Sequence, residues 1–157
     1  IMVNMVNSHI IMKKIMTVTC SMLGLGVILI TLQSHVKANV LTYNRDSGQK
    51  GKAIYEQTCL PCHQADAGGV PGMNPPLQKS IYVQGPPARL IGIVLKGLND
   101  GVEIDGETYS NPMPPFSTVL KDQEIADVLS YLRSHFGNKA APISLSQVTK
   151  IRQSLKK

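Results

Sequence analysis

Five residues, Cys59-Leu60-Pro61-Cys62-His63, carry the most specific chemistry in this chain. Two cysteines three apart lie on the same side of one helical turn. Each can therefore form a thioether to one of the two vinyl groups of a single porphyrin. The adjacent His63 is then held below the ring, with an imidazole nitrogen toward the iron. C-x-x-C-H is the attachment pattern of c-type haem. Other readings of these residues exist. A zinc site needs about four ligands, and beyond residues 1–38 the chain offers only Cys59, Cys62, His63 and His135 as cysteine or histidine. A thioredoxin-like pair would sit in a βαβ pattern, and the flanks here show none. A chance occurrence of the motif is the third.

Haem iron held by one histidine has a sixth position to fill, and Asn111-Pro112-Met113-Pro114-Pro115-Phe116 supplies a candidate. A methionine thioether stabilises ferrous iron and raises the reduction potential. It is a weak ligand, so the chain must hold it in place. The three prolines fix φ and remove backbone donors, which restricts the shapes open to the loop. The bland alternative for Met113 is a gap-filling core residue. Outside residues 1–38 its one rival is Met73, ten residues after His63 on a loop expected to cover the histidine side.

The elements that must position these groups are mostly helical. A first helix is expected from about Gly48 to Cys59, capped by Asp46 or Ser47. Gly51, Ile54, Tyr55 and Thr58 share its inner face. The interior Gly51 costs about 1 kcal/mol against Ala and suggests close approach of another backbone. The stretch from Gly68 to Leu77 has too many Gly and Pro residues for helix or central strand. A carbonyl near Pro75 or Pro76 is placed to accept the His63 Nδ1 proton. Pro86-Pro87 opens a second helix with Leu90, Ile91, Val94, Leu95 and Leu98 inward, ended by Asn99-Asp100-Gly101. Asp105-Gly106 marks a small β-hairpin. Ile125, Val128, Leu129, Leu132 and Phe136 define a third helix stopped by Gly137-Asn138. Arg133 and His135 fall in its last turn, His135 as a solvated helix-end residue. A short helix from about Ser144, with Ser144 and Gln147 as a capping box, puts Val148, Ile151 and Leu155 along one side.

Residues 12–38 read as a secretory signal, with Met12 a better initiator than Ile1. Lys13 and Lys14 form the basic region, Ile15 to Leu32 the apolar stretch, and Val36-Lys37-Ala38 the cleavage site. A retained membrane anchor is the alternative, at the lower length limit for spanning. Cys20 lies too early in the apolar stretch for a lipoprotein site. Removing residues 1–38 leaves Cys59 and Cys62 with no disulfide framework. The formal charge of +6 includes three leader lysines, and 13 basic side chains then face 10 acidic ones. No basic stripe with interleaved aromatics is present, which argues against nucleic acid. At 157 residues with 4% aromatics and no Trp, one domain with a thin core is expected. A covalent haem would fill that core as a large apolar body.

The order of helix with C-x-x-C-H, Pro-rich loop, middle helix, Met loop and terminal helix resembles a class I mono-haem c-type cytochrome, over about residues 45–137. Pro71-Gly72-Met73-Asn74-Pro75-Pro76-Leu77, Ser80, the Gly106, Tyr109, Met113-Pro114 run and Gly137-Asn138 are similar to the cytochrome domains of quinoprotein alcohol dehydrogenase subunits and of nitrite reductase fusions. The resemblance implies an all-α cytochrome c fold, three main helices around covalent haem with a small β-hairpin before the Met loop. It implies one haem c, Cys59 and Cys62 as thioether donors, and His63 and Met113 as axial ligands. The first and last helices would cross, Gly51 and Tyr55 meeting Tyr131 and Leu132. Lys121 departs from the family's Ser or Thr and weakens a helix cap. The domain plan is a leader over 1–38, a cytochrome domain over 39–142 and a helical extension over 143–157.

The functional expectation is an exported, periplasmic electron carrier rather than an enzyme. Its iron would cycle between Fe(II) and Fe(III) between respiratory partners that dock at the haem edge. It would be a monomer or a complex subunit, touching a membrane only through an uncleaved leader. The alternatives are the cytochrome subunit of a periplasmic dehydrogenase or reductase, and a haem peroxidase or gas sensor should the Met113 bond be labile.

Overall fold

The structure, a computed structural model, describes residues 47–156. The leader expected over 1–38 and the lead-in over 39–46, with the cap candidate Asp46, lie outside the described residues. Helix α1 covers 47–63, α2 Ile81–Gln84, α3 Pro87–Lys96, α4 Asp122–Ser134 and α5 Leu145–Ser154; strands β1 (Val102–Ile104) and β2 (Glu107–Tyr109) form one antiparallel pair. The fold is thus mostly helical with a two-stranded sheet.

Helix α1 runs further than its inner-face spacing predicts. It passes through the cysteines to His63 by way of a π-helical turn at Tyr55–Cys59, where the Leu60 N–H bonds to the Tyr55 carbonyl. The wider turn puts Pro61 at the start of the closing segment Leu60–His63, where a missing N–H costs little. Gln64, at φ 67°, ends the helix, and the Tyr55 hydroxyl donates to its carbonyl at 2.6 Å. Ser47 is already helical and so is not the cap.

Gly51 marks the crossing of α1 and α4. A Cβ there would lie 2.7 Å from Tyr131 Cβ and would run into the Asp127 carbonyl. One turn on, Tyr55 meets the Tyr131 ring at 6.0 Å and Phe136 at 5.2 Å between centroids. The crossing therefore uses Tyr131 as expected, with Asp127 beside Gly51.

Helix α3 buries Leu90, Ile91, Val94 and Leu95, but it ends earlier than its stripe suggests. Gly97 takes φ +75°, and a Cβ there would stand 2.9 Å from Pro115 N. Leu98 consequently leaves the helix and forms an isolated bridge with Met113. The hairpin pairs Val102 with Tyr109 and Ile104 with Glu107. Asp105 and Gly106, at φ 53° and 81°, supply the two left-handed residues its tight turn needs.

Helix α4 buries Ile125, Val128, Leu129 and Leu132 and stops at Ser134. Phe136 and Gly137 then turn left-handed at φ 55° and 76°. Lys121 offers no capping oxygen, and its own N–H donates to Glu124 Oε2 at 2.7 Å instead. Arg133, expected in the last turn of this helix, is only 4% exposed. Its guanidinium donates to the carbonyls of Val83 (2.6 Å), Gly85 (2.9 Å) and Ala141 (2.5 Å). Helix α5 carries the expected capping box: the Ser144 N–H reaches Gln147 Oε1 at 2.8 Å, and the Gln147 N–H reaches Ser144 Oγ at 3.3 Å. It packs on α3 and α4. Val148 is fully buried, whereas Leu155 is 42% exposed and does not join the packed side.

Two outcomes follow from this packing. Gly51→Ala gains about 1 kcal/mol of helix propensity but overpacks the crossing, so it should lower stability by about 1–3 kcal/mol. Denaturant unfolding showing an equal or more stable variant would refute the crossing. Asp122 is held below its ordinary value of 3.8 chiefly by the Thr149 hydroxyl, with Arg152 adding to it against the opposing effect of burial. A depressed carboxylate stabilises fully above its unfolded-state pKa and loses that contribution as the pH falls through the folded-state value. Wild type should therefore outlast Asp122→Asn in thermal melts at neutral pH. The gap should close as the pH drops below 3.8; a gap that is flat or widens in acid contradicts this.

Candidate functional site

The buried faces of α1, α3 and α4 do not close on one another. They leave an apolar crevice of about 1240 Å³, its open mouth included, walled by residues such as Leu90, Val94, Leu98, Phe116, Leu129 and Leu132. Cys59, Cys62, His63 and Met113 all line it. Met73, the rival thioether, is 49% exposed and is absent from the lining. His135 is exposed at the end of α4, where its Nδ1 lies 2.9 Å from the Tyr131 carbonyl. Among the described residues no group of three or more His, Cys, Asp or Glu gathers to hold a metal.

The end of α1 presents the thiols and the imidazole together. The two cysteines form no disulfide, Cys62 exposed and Cys59 half-buried. Burial, and then the neighbouring Cys62, push the Cys59 thiol up to about 11. Before haem attachment the thiol would therefore be protonated at neutral pH, the reverse of the lowered pKa of a catalytic C-x-x-C pair. His63 is 7% exposed. Its Nδ1 lies 2.9 Å from the Pro75 carbonyl. A carbonyl only accepts, so the proton sits on Nδ1 and the lone pair on Nε2. Burial lowers the imidazole pKa, and the Pro75 bond opposes it. The neutral ring with a free Nε2 is what a metal requires.

The loop that brings Pro75 to His63 depends on one glycine. Gly69 has φ +72°, and a Cβ there would sit 2.7 Å from Pro75 C. Its N–H donates to the His63 carbonyl at 3.1 Å, while Val70 and Asn74 bond each other's backbone at 2.8 and 2.9 Å. The Met113 loop is anchored at both sides. Met113 and Leu98 exchange backbone hydrogen bonds of 2.8 and 2.9 Å, and the Phe116 N–H donates to the Val94 carbonyl at 2.9 Å. The two loops are also tied to each other: the Ser110 N–H donates to Gly72 O at 3.2 Å and the Asn111 N–H to Met73 O at 3.0 Å. Asn111 Nδ2 adds a bond to Asn74 Oδ1 at 3.3 Å.

Sequence patterns place Leu98 in a helix stripe, Asn111 in the Met113 loop and Arg133 in a last helical turn, but assign none of them the contacts it makes. Gly97 was the available signal for Leu98, since a glycine there ends a helix as well as Gly101 does. Nothing local distinguishes Asn111, whose side-chain partner is 37 residues away, or Arg133, two of whose three partners are 48 and 50 residues away.

A flat, largely apolar macrocycle with a metal at its centre fits this site: apolar walls, two thiols, and one nitrogen and one sulfur donor of different softness. No helix of the described residues is long and apolar enough to cross a membrane. The cytochrome c family profile matches residues 48–136. The chain is 33% identical over 121 residues to the cytochrome c subunit of the quinone alcohol dehydrogenase of Gluconacetobacter polyoxogenes, covering 74% of this chain and 25% of that one. It is 34% identical over 111 residues to cytochrome c-552 of Thermus thermophilus, covering 65% and 83%. It is 32% identical over 112 residues to the gluconate 2-dehydrogenase cytochrome c subunit of Pantoea cypripedii, covering 69% and 25%. The chain thus spans about a quarter of the length of the dehydrogenase subunits it matches. Crevice, donor set and matched region lead to one conclusion: this chain belongs to the cytochrome c family, electron-transfer proteins with covalently bound haem c that are not themselves catalysts.

Proposed function

We propose that this chain is an exported mono-haem c-type cytochrome that passes single electrons between respiratory partners. Cys59 and Cys62 are its thioether donors, and His63 and Met113 its axial ligands. The observation that carries the reading is that these four side chains line one apolar crevice although Met113 is fifty residues beyond His63. Bound there, haem supplies a one-electron Fe(II)/Fe(III) couple. The Pro75 carbonyl holds His63 in the tautomer that leaves Nε2 for the metal. Leu98 fixes the Met113 backbone in both directions, so little loop entropy is left to lose on ligation. Helices α1, α3 and α4 are the three main helices around the group. Their apolar side chains exclude water, which limits reorganisation when charge changes.

The domain plan stands as a proposal with it: leader 1–38, cytochrome domain 39–142, extension 143–157. So does a periplasmic location, with membrane contact only through a retained leader. Redox proteins would dock transiently at the crevice mouth through a small interface. A second reading makes the chain the cytochrome subunit of a dehydrogenase complex. The relatives named as alcohol and gluconate dehydrogenase cytochrome c subunits support it. Co-purification with a dehydrogenase separates the two.

Met113→Ala should give a high-spin or water-ligated haem with a lower reduction potential. An unchanged optical spectrum and potential would remove Met113 as ligand. Intact mass of the matured protein should show one haem and loss of the leader. Cys59→Ser with Cys62→Ser should abolish the covalent haem mass, and retained covalent haem would overturn the attachment site.

A further inference from the structure

Helix α5 lies beyond the residues the family profile matches, 48–136. One of its side chains nevertheless reaches the segment that follows Met113. Arg152 donates from Nη2 to the Leu120 carbonyl at 2.9 Å and from Nη1 to the Ser117 carbonyl, and its Nε pairs with Asp122 Oδ1. The opposite carboxylate oxygen of Asp122 takes the Thr149 hydroxyl at 2.6 Å, so the guanidinium is itself oriented from α5. The Arg152 and Asp122 side chains are 19% and 22% exposed. A partly buried pair of this kind is screened less than a fully exposed one.

The segment held this way is continuous with the candidate ligand loop. Phe116 and Leu120 line the crevice alongside Met113, and the Leu120 N–H bonds back to the Phe116 carbonyl at 2.9 Å. Upstream, the loop is pinned by Leu98 at Met113 and by Val94 at Phe116. Downstream, the carbonyls of Ser117 and Leu120 are both held by Arg152. We propose that Arg152 is a positioning residue for the distal ligand. By closing the loop at its C-terminal end, it slows the excursions in which the Met113 thioether leaves the metal. The C-terminal extension would then set how firmly the sixth position is closed, and thereby keep the protein a carrier rather than a binder of small ligands. This rests on Met113 being the axial ligand.

The test is stopped-flow cyanide binding to the oxidised holoprotein at neutral pH, well below the melting temperature. Cyanide must wait for Met113 to leave, so its limiting rate reports loop opening. Arg152→Ala should raise that rate about tenfold, the equivalent of one charge-assisted hydrogen bond. Arg152→Lys, which keeps charge but not the fork, should recover only part of it. Val148→Ala is the control: it thins the buried face of the same helix without touching the loop, so it should lower thermal stability and leave the rate near wild type. Equal rates for wild type and Arg152→Ala, or equal increases for Arg152→Ala and Val148→Ala, would overturn the inference. Failure of the underlying reading looks different. Wild-type protein would then bind cyanide as fast as Met113→Ala does, and its absorption spectrum would lack a sulfur-to-iron band.

Discussion

An imidazole buried at a helix end has two nitrogens to satisfy, and His63 satisfies one of them with the Pro75 carbonyl at 2.9 Å. Much of the crevice follows from that bond. It requires Pro75 to approach the end of α1, which the bare Gly69 backbone permits. It requires the helix to continue past both cysteines, which the π turn at Tyr55–Cys59 allows despite Pro61. It also requires the Pro-rich loop to hold a shape that no repeating hydrogen-bond pattern supplies. The Val70–Asn74 bridge and the bonds from Ser110 and Asn111 provide it. Because Ser110 and Asn111 lead directly to Met113, the loop on the histidine side and the loop carrying the methionine are fixed as one unit.

The protein meets a common difficulty of small domains with few aromatic rings. Its own side chains do not fill its interior. The core that does exist is concentrated where helices meet. Gly51 lets α1 and α4 touch backbone to side chain, and Tyr55, Tyr131 and Phe136 stack beside that contact. From α5 and the segment before it, Val148 and Ile143 join the same core cluster. Between these regions lies apolar surface that in isolation would be costly to leave facing water. A covalent macrocycle resolves that cost, which is why cofactor and fold are one problem here rather than two.

Polar groups in the interior act as fasteners between distant stretches. Arg133 collects three carbonyls from the segments around α2 and after α4. Asn138, 3% exposed, receives the Ser80 N–H and donates to the carbonyls of Leu77 and Leu132. Gly85, Ala141 and Leu77 lie outside the helices and strands, and Val83 and Leu132 sit near the C-terminal ends of α2 and α4; burying such a carbonyl unpaired would cost about 1–3 kcal/mol. These two side chains do for the irregular half of the molecule what the backbone ladder does for the helices.

Local chemistry was readable from the chain alone. The C-x-x-C-H spacing, the prolines around Met113, the Asp105-Gly106 turn, the apolar stripe of α4 and the Ser144–Gln147 box all act within a few residues. Their outcome depends on covalent geometry and short-range hydrogen bonding, and the structure bears out the hairpin, the box and the stripe as far as Leu132. What only the tertiary structure decided are pairings across long separations. A carbonyl near Pro75 or Pro76 was the expected partner for His63, but which of them depends on where Gly69 lets the loop fold. The end of α3 at Gly97 rather than near Gly101 depends on Met113 claiming Leu98. The burial of Arg133 and the reach of Arg152 depend largely on carbonyls 32 to 50 residues away. Sequence periodicity reports which face of an element is apolar. It does not report which other element will supply a hydrogen bond to it, because that is set by the order in which several weak packings are jointly satisfied.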